Sequence, residues 1–90
     1  MPEGAAIDLS LIIPAYNEGF RLAATLETVE GWLQASGRTF EIIVVDDGSI
    51  DDTLAVAHEQ ETCLPRLKVI AHERNSGKGR AVRTGVAASN

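Results

Sequence analysis

Three short stretches of this chain hold the residues able to do chemistry on a small ligand. Asp46-Asp47-Gly48-Ser49 follows four consecutive β-branched residues, Ile42 to Val45. Pro14-Ala-Tyr-Asn-Glu18 follows Leu9-Ser-Leu-Ile-Ile13, and Arg74-Asn-Ser-Gly-Lys-Gly79 comes soon after Leu67-Lys-Val-Ile70. Tyr16 offers a flat apolar face on which a nucleobase can stack. Asn17 and Glu18 can hydrogen-bond a ribose or a base edge, and the Asp47 carboxylate can accept a base N–H. Arg74 and Lys78 bring positive charge. Gly77 and Gly79 let backbone N–H groups approach a phosphate at a helix N-terminus. A base, a sugar and a pyrophosphate can be laid across the three stretches in that order. Each residue also has a plainer reading. Tyr16 can pack over its own loop, Glu18 can favour a helix start, Asp46 or Asp47 can serve a turn, and Lys78 can be a solvated charge.

The elements that must position these stretches are read from periodicity. Leu9–Ile13 is a strand that Pro14 ends, having no N–H for the ladder. Phe20 to Ser36 is a helix whose Leu22, Leu26, Val29 and Leu33 form one apolar stripe, with Trp32 covering its border and Gly37 at the C-cap. Phe40 to Val45 is a strand buried on both faces. Ser49 is expected to cap a second helix, with Asp51 and Asp52 at its positive end. Pro65 breaks that helix, Leu67–Ile70 is a strand near an edge, and Gly79 to Ser89 is a third helix packing through Ala81, Val82, Val86 and Ala87. The order β-α-β-α-β-α predicts an α/β fold with an open, Rossmann-like parallel sheet in three layers and right-handed crossovers. In such a sheet ligands bind outside the carboxyl ends of the strands, where all three stretches fall. Residues 1–8 are expected to be a flexible leader and residues 9–90 a single nucleotide-binding unit.

Composition removes several classes. A net charge of -5 over 90 residues gives no basic footprint for nucleic acid. The single Cys63 excludes an internal disulfide and fits a reducing compartment, so a cytoplasmic location is expected. No apolar run is long enough to span a bilayer. Gly77-Lys78-Gly79 lacks the spacing of a P-loop, and no G-x-G-x-x-G follows the first strand. Asp46 to Asp52 lacks the alternation and central glycine of an EF-hand loop. Arg80 and Arg83 read as exposed helix charges. His58 and His72 have no metal-ligand spacing and read as surface or packing residues. No residue pattern marks a nucleophile.

Taken together, Leu11-Ile-Ile-Pro-Ala-Tyr-Asn-Glu18, Ile43-Val-Val-Asp-Asp-Gly-Ser-Ile-Asp-Asp-Thr53 and Asn75-Ser-Gly-Lys-Gly-Arg-Ala81 resemble the N-terminal part of family 2 glycosyltransferases. The third stretch is most similar to that of dolichyl- or polyprenyl-phosphate sugar synthases. The resemblance implies the front half of a GT-A fold and inverting transfer from a UDP- or GDP-linked sugar, with a lipid phosphate as acceptor. It implies nucleotide-binding roles for Pro14, Tyr16, Glu18, Asp46, Asp47 and Lys78 and a weaker one for Arg74, while Asn17, Gly77 and Gly79 stay weaker candidates on residue type alone. In the family a D-x-D motif after a fourth strand holds Mg²⁺ or Mn²⁺. That motif and the catalytic base are expected beyond Asn90, so no metal site is assigned here and the chain alone is expected to be inactive, a truncated piece of a transferase. The fully assembled enzyme is expected at the cytoplasmic face of a membrane. If the fourth strand belongs beside the first, Leu9–Ile13 is an open edge through which the isolated chain can self-associate. The alternative reading is a non-catalytic nucleotide-binding or interaction module using that edge. A sugar nucleotidyltransferase is disfavoured, because Pro-Ala-Tyr-Asn-Glu stands where its glycine-rich basic loop belongs.

Overall fold

The second strand is the least exposed element of the chain. In a computed structural model that describes residues 7–89, β2 (Phe40–Asp47) is buried along its whole length. Ile42, Ile43, Val44 and Val45 retain none of their accessible surface. Each such side chain contributes roughly 1.5–3 kcal/mol through burial. A strand apolar on both faces must be central with layers above and below, and β2 is central. The sheet order is β1-β2-β3, with β1 (Leu9–Ala15) and β3 (Leu67–His72) both parallel to it.

The two faces of β2 are covered by different helices. Ile42 and Val44 join Leu22, Leu26 and Leu33 of α1 (Gly19–Ala35) and Ala57 of α2 (Thr53–Cys63) in the larger core. Leu9, Leu11 and Ile13 pack against the same core from β1. Ile43 and Val45 face the other way, toward Ala81 of α3 (Lys78–Ala88), with Ile12 and Ile70 beside them. The approach of α3 to β1 is close enough that a Cβ on Gly85 would run into the Ile12 side chain. α3 thus lies opposite the other two helices and reaches back over β1. At the other end of the sheet, buried Glu41 crosses all three strands. Its carboxylate accepts from the Ser10 hydroxyl at 2.5 Å and pairs with Lys68 Nζ at 3.0 Å.

The observed elements match the expected order, with differences at their ends. β1 continues through Pro14 to Ala15, because an edge strand can hold a proline without losing a ladder bond. β2 continues through both aspartates. α2 begins at Thr53, so Ser49 is not its cap. The N-cap is Asp52, whose side chain makes no capping bond, and Asp51 just before it accepts from the Thr53 N–H through Oδ1 at 2.9 Å. Trp32 does not cover the α1 stripe, since it is 72% exposed. Val82 and Val86 are exposed on α3, where Ala81 and Gly85 do the packing. Most of the expected leader, residues 1–6, lies outside the described residues. Asp8 at its end is tied down, its N–H donating to the Thr39 carbonyl at 3.1 Å and to Thr39 Oγ1 at 2.9 Å. Among the described residues no helix is long and apolar enough to cross a membrane.

Candidate functional site

The register brings the three strand ends to one level. Ala15 lies opposite Asp46, and Asp46 and Asp47 lie opposite Ala71 and His72. The three following loops therefore start side by side at the carboxyl edge. Between them is a cavity of about 290 Å³. Pro14, Tyr16 and Glu18 line it from the end of β1, Asp47 from β2, and Asn75, Gly77 and Lys78 from the β3–α3 connection. Tyr16 is 44% exposed, so its ring is accessible to a stacking partner.

The end of β2 holds both neighbouring loops. On one side Ser49 Oγ accepts from the Asn17 N–H at 2.9 Å, and Asn17 Oδ1 accepts in return from the Ile50 N–H at 2.9 Å. Asn17 sits at φ 51°, a left-handed conformation that asparagine tolerates better than most residues. Thr53 Oγ1 accepts from the Glu18 N–H at 2.9 Å, which welds the start of α1 to the start of α2. The Thr53 hydroxyl and N–H, both bonded to Asp51, hold that carboxyl below its ordinary range.

On the other side the Asp47 carboxylate gathers the β3–α3 loop. Oδ1 accepts from the Ser76 N–H at 3.0 Å and the Ser76 hydroxyl at 2.8 Å, and His72 Nδ1 lies 2.9 Å away. Oδ2 accepts from the Gly77 N–H at 2.9 Å. The Asp47 carbonyl also accepts from Asn75 Nδ2 at 3.3 Å. His72 is the largest cause of a lowered Asp47 pKa, with the Ser76 and Gly77 donors adding to it against the cost of burial. The carboxyl falls from 3.8 to about 2. Gly48 makes the close approach of this loop feasible. Its φ is 73°, and a Cβ there would collide with the backbone of Arg74 and Asn75.

The structure brings together six of the residues singled out by sequence: Pro14, Tyr16, Glu18, Asp47, Gly77 and Lys78 all line the cavity. The others stand elsewhere. Alternation along β2 sends Asp46 toward the α1–α2 face, where it is buried. Its Oδ2 accepts from the Ser49 N–H at 3.3 Å, and Oδ1 has no partner among the described residues. Asn17 staples two loops. Arg74 borders a separate open groove with Glu73 and Arg80. Gly79 is in the first turn of α3 and outside the cavity lining. Sequence reasoning missed Asn75 as a lining residue, and Ser76 and His72 as partners of Asp47. His72 is not a mere packing residue, as it bonds Asp47, Ser76 and Thr84 at 2.9 Å each. The strand expected from sequence stops at Ile70, and only its extension to His72 brings that residue level with Asp47.

The residues present do not fit a divalent cation. Asp46 and Asp47 point to opposite faces of the sheet, and Asp47 Oδ1 is already engaged by three groups. Among the described residues no cluster of three or more His, Cys, Asp or Glu could hold a metal.

An open parallel sheet with helices alternating between its strands is a Rossmann-like architecture, and it matches that of a GT-A transferase. The structure of mannosyltransferase PcManGT from Pyrobaculum calidifontis, in complex with GDP-Man and Mn²⁺, superposes with a TM-score of 0.76 over 100% of this chain and 28% of its own, at 23% identity. Residues 10–90 match the family described as glycosyl transferase family 2, and the chain belongs to that family. Among curated relatives, dolichyl-phosphate beta-glucosyltransferase of Mus musculus is 41% identical over 88 residues, covering 90% of this chain and 27% of the mouse protein. The enzyme of the same name from Saccharomyces cerevisiae is 39% identical over 85 residues, covering 88% of this chain and 25% of its own. The chain thus spans about a quarter of the length of the curated relatives it matches.

Because the folded pKa of Asp47 is depressed, its contribution to stability is present above pH 4 and is lost as pH falls from about 4 toward 2. Asp51 contributes in the same direction. Urea unfolding between pH 6 and pH 2.5 is expected to show falling stability for the native chain. Asp47→Asn should be less stable at pH 6 and should show a shallower fall. Equal slopes for the two proteins would contradict the assignment.

Proposed function

We propose that this chain is the donor-binding portion of a glycosyltransferase that takes a UDP- or GDP-linked sugar and delivers the sugar, with inversion, to a dolichyl or polyprenyl phosphate. The observation that carries the reading is the cavity at the carboxyl edge, with an accessible aromatic ring, two carboxylates and a glycine–lysine turn around it. Tyr16 stacks the base, Asp47 accepts a base N–H, and Glu18 meets the base or ribose. Lys78 and the first backbone N–H groups of α3 approach the diphosphate, where a helix N-terminus and a cation both favour negative charge, and Gly77, its N–H held by Asp47, shapes the turn. The names of the curated relatives support the lipid-phosphate acceptor, and the ligand of PcManGT supports the donor class.

The remaining parts of the reaction are assigned to other residues of the enzyme. A divalent cation would stabilise the departing diphosphate, and a base would take the acceptor proton. No cluster among the described residues could hold such a cation, and the 90-residue chain is proposed to bind donor without transferring sugar. With a lipid acceptor the complete enzyme is proposed to act at a membrane, on its cytoplasmic face. The edge of β1 that pairs with no strand among the described residues is proposed to receive a further strand, or a second copy of the chain when alone. Sedimentation velocity is expected to show concentration-dependent association, and a monomer at all concentrations would remove that part of the proposal.

Calorimetric titration with UDP, GDP, UDP-glucose and GDP-mannose, each with and without Mn²⁺, tests the donor assignment. One nucleotide series is expected to bind, with little dependence on Mn²⁺. Tyr16→Ala should weaken that binding by about 1–3 kcal/mol, the usual worth of stacking a base on an aromatic ring. A folded chain that binds none of the four would refute the reading.

A further inference from the structure

We propose that His72 is a positioning residue of the donor site, fixing the Asp47 carboxylate so that Oδ2 is the oxygen offered to a ligand. The inference rests on the donor-binding reading for its functional meaning, but its structural half stands independently. A carboxylate has about four lone-pair sites, two on each oxygen. Oδ1 of Asp47 faces three groups: His72 Nδ1, the Ser76 N–H and the Ser76 hydroxyl. Oδ2 has the Gly77 N–H alone among the hydrogen bonds of its side chain. The remaining acceptor capacity is therefore on Oδ2, and Asp47 lines the cavity.

The proton on His72 follows from its partners. An ionised carboxylate only accepts, so Nδ1 carries the hydrogen and donates to Oδ1. In the neutral ring Nε2 then accepts from the Thr84 hydroxyl, 2.9 Å away on α3. The Ser76 hydroxyl donates to Oδ1 and lies 2.9 Å from Nδ1, closing a three-membered ring of polar groups. His72 is thus held from α3 on one side and holds Asp47 on the other. Ser76 and Gly77, anchored to that same carboxylate, flank the turn that brings Gly77 and Lys78 to the cavity. Glu73, Arg74 and Arg80 are the charged groups of the open groove that His72 and Ser76 also border on the outer side of this loop.

The test compares His72→Leu, His72→Gln and His72→Asn in the 90-residue chain. The amide nitrogen of Asn stands near the position of Nδ1, and that of Gln near Nε2. Two readouts are taken, UDP and GDP affinity by calorimetry and the Asp47 carboxyl titration by carbon NMR, with thermal melts as a check of folding. His72→Asn is expected to keep affinity within about threefold of the native chain and the low Asp47 titration midpoint. His72→Leu and His72→Gln are expected to weaken binding about tenfold, the effect of one hydrogen bond to a charged group, and to raise that midpoint. Unchanged affinity and midpoint in all three variants, or a His72→Asn as impaired as His72→Leu, would overturn the proposal. Should the native chain bind neither nucleotide, the donor reading fails. The Asp47 midpoint in the three variants then decides the positioning role alone.

Discussion

The site depends on one carboxylate. Asp47 is the last residue of the most buried strand, and its side chain draws the β3–α3 loop down onto the sheet edge through His72, Ser76 and Gly77. A buried charge is costly unless it is bonded, and here His72, Ser76 and Gly77 all bond it. Stability and function are linked at this point. The donors that make the charge tolerable also shape one wall of the cavity and place Lys78 at its rim.

Around that contact the fold is a set of consequences. The burial of β2 on both faces requires helices on both sides, and the reversal of α3 to the opposite face directs the chain back over β1. The strand ends are level because the parallel register is regular from Leu9↔Phe40 to Asp47↔His72. Gly48 is needed because the loop backbone occupies the space a side chain would fill. Successive residues of β2 divide the labour. Asp47 serves the cavity side, and Asp46 and Ser49 belong to the junction where α1 and α2 begin.

Much of this was legible in the sequence. The run Ile42–Val45 marked a central strand, the leucine spacing marked α1, and the alternation of elements implied a parallel sheet with its ligand edge. Tyr16, Glu18, Asp47, Gly77 and Lys78 stood out because their types suit a nucleotide and their loops had to converge, Pro14 through the family resemblance, and all six line the cavity. What was not legible depended on side-chain direction and reach. Ser49 has the chemistry of a cap, but its hydroxyl serves Asn17 in another loop, and Asp51 is better placed for α2. Trp32 borders an apolar stripe in sequence yet stays in solvent. His72 and Asp47 are 25 residues apart, and only the register makes them neighbours.

The cavity at the carboxyl edge is the proposed seat of a nucleotide sugar. The most direct measurement is an amide ¹H–¹⁵N spectrum of the 90-residue chain titrated with UDP-glucose and, separately, with GDP-mannose. Saturable shifts for one of these donors, centred on Tyr16, Glu18, Asp47, Asn75, Gly77 and Lys78, are the predicted result. Shifts centred on another surface, or none with either donor in a folded sample, would contradict the account.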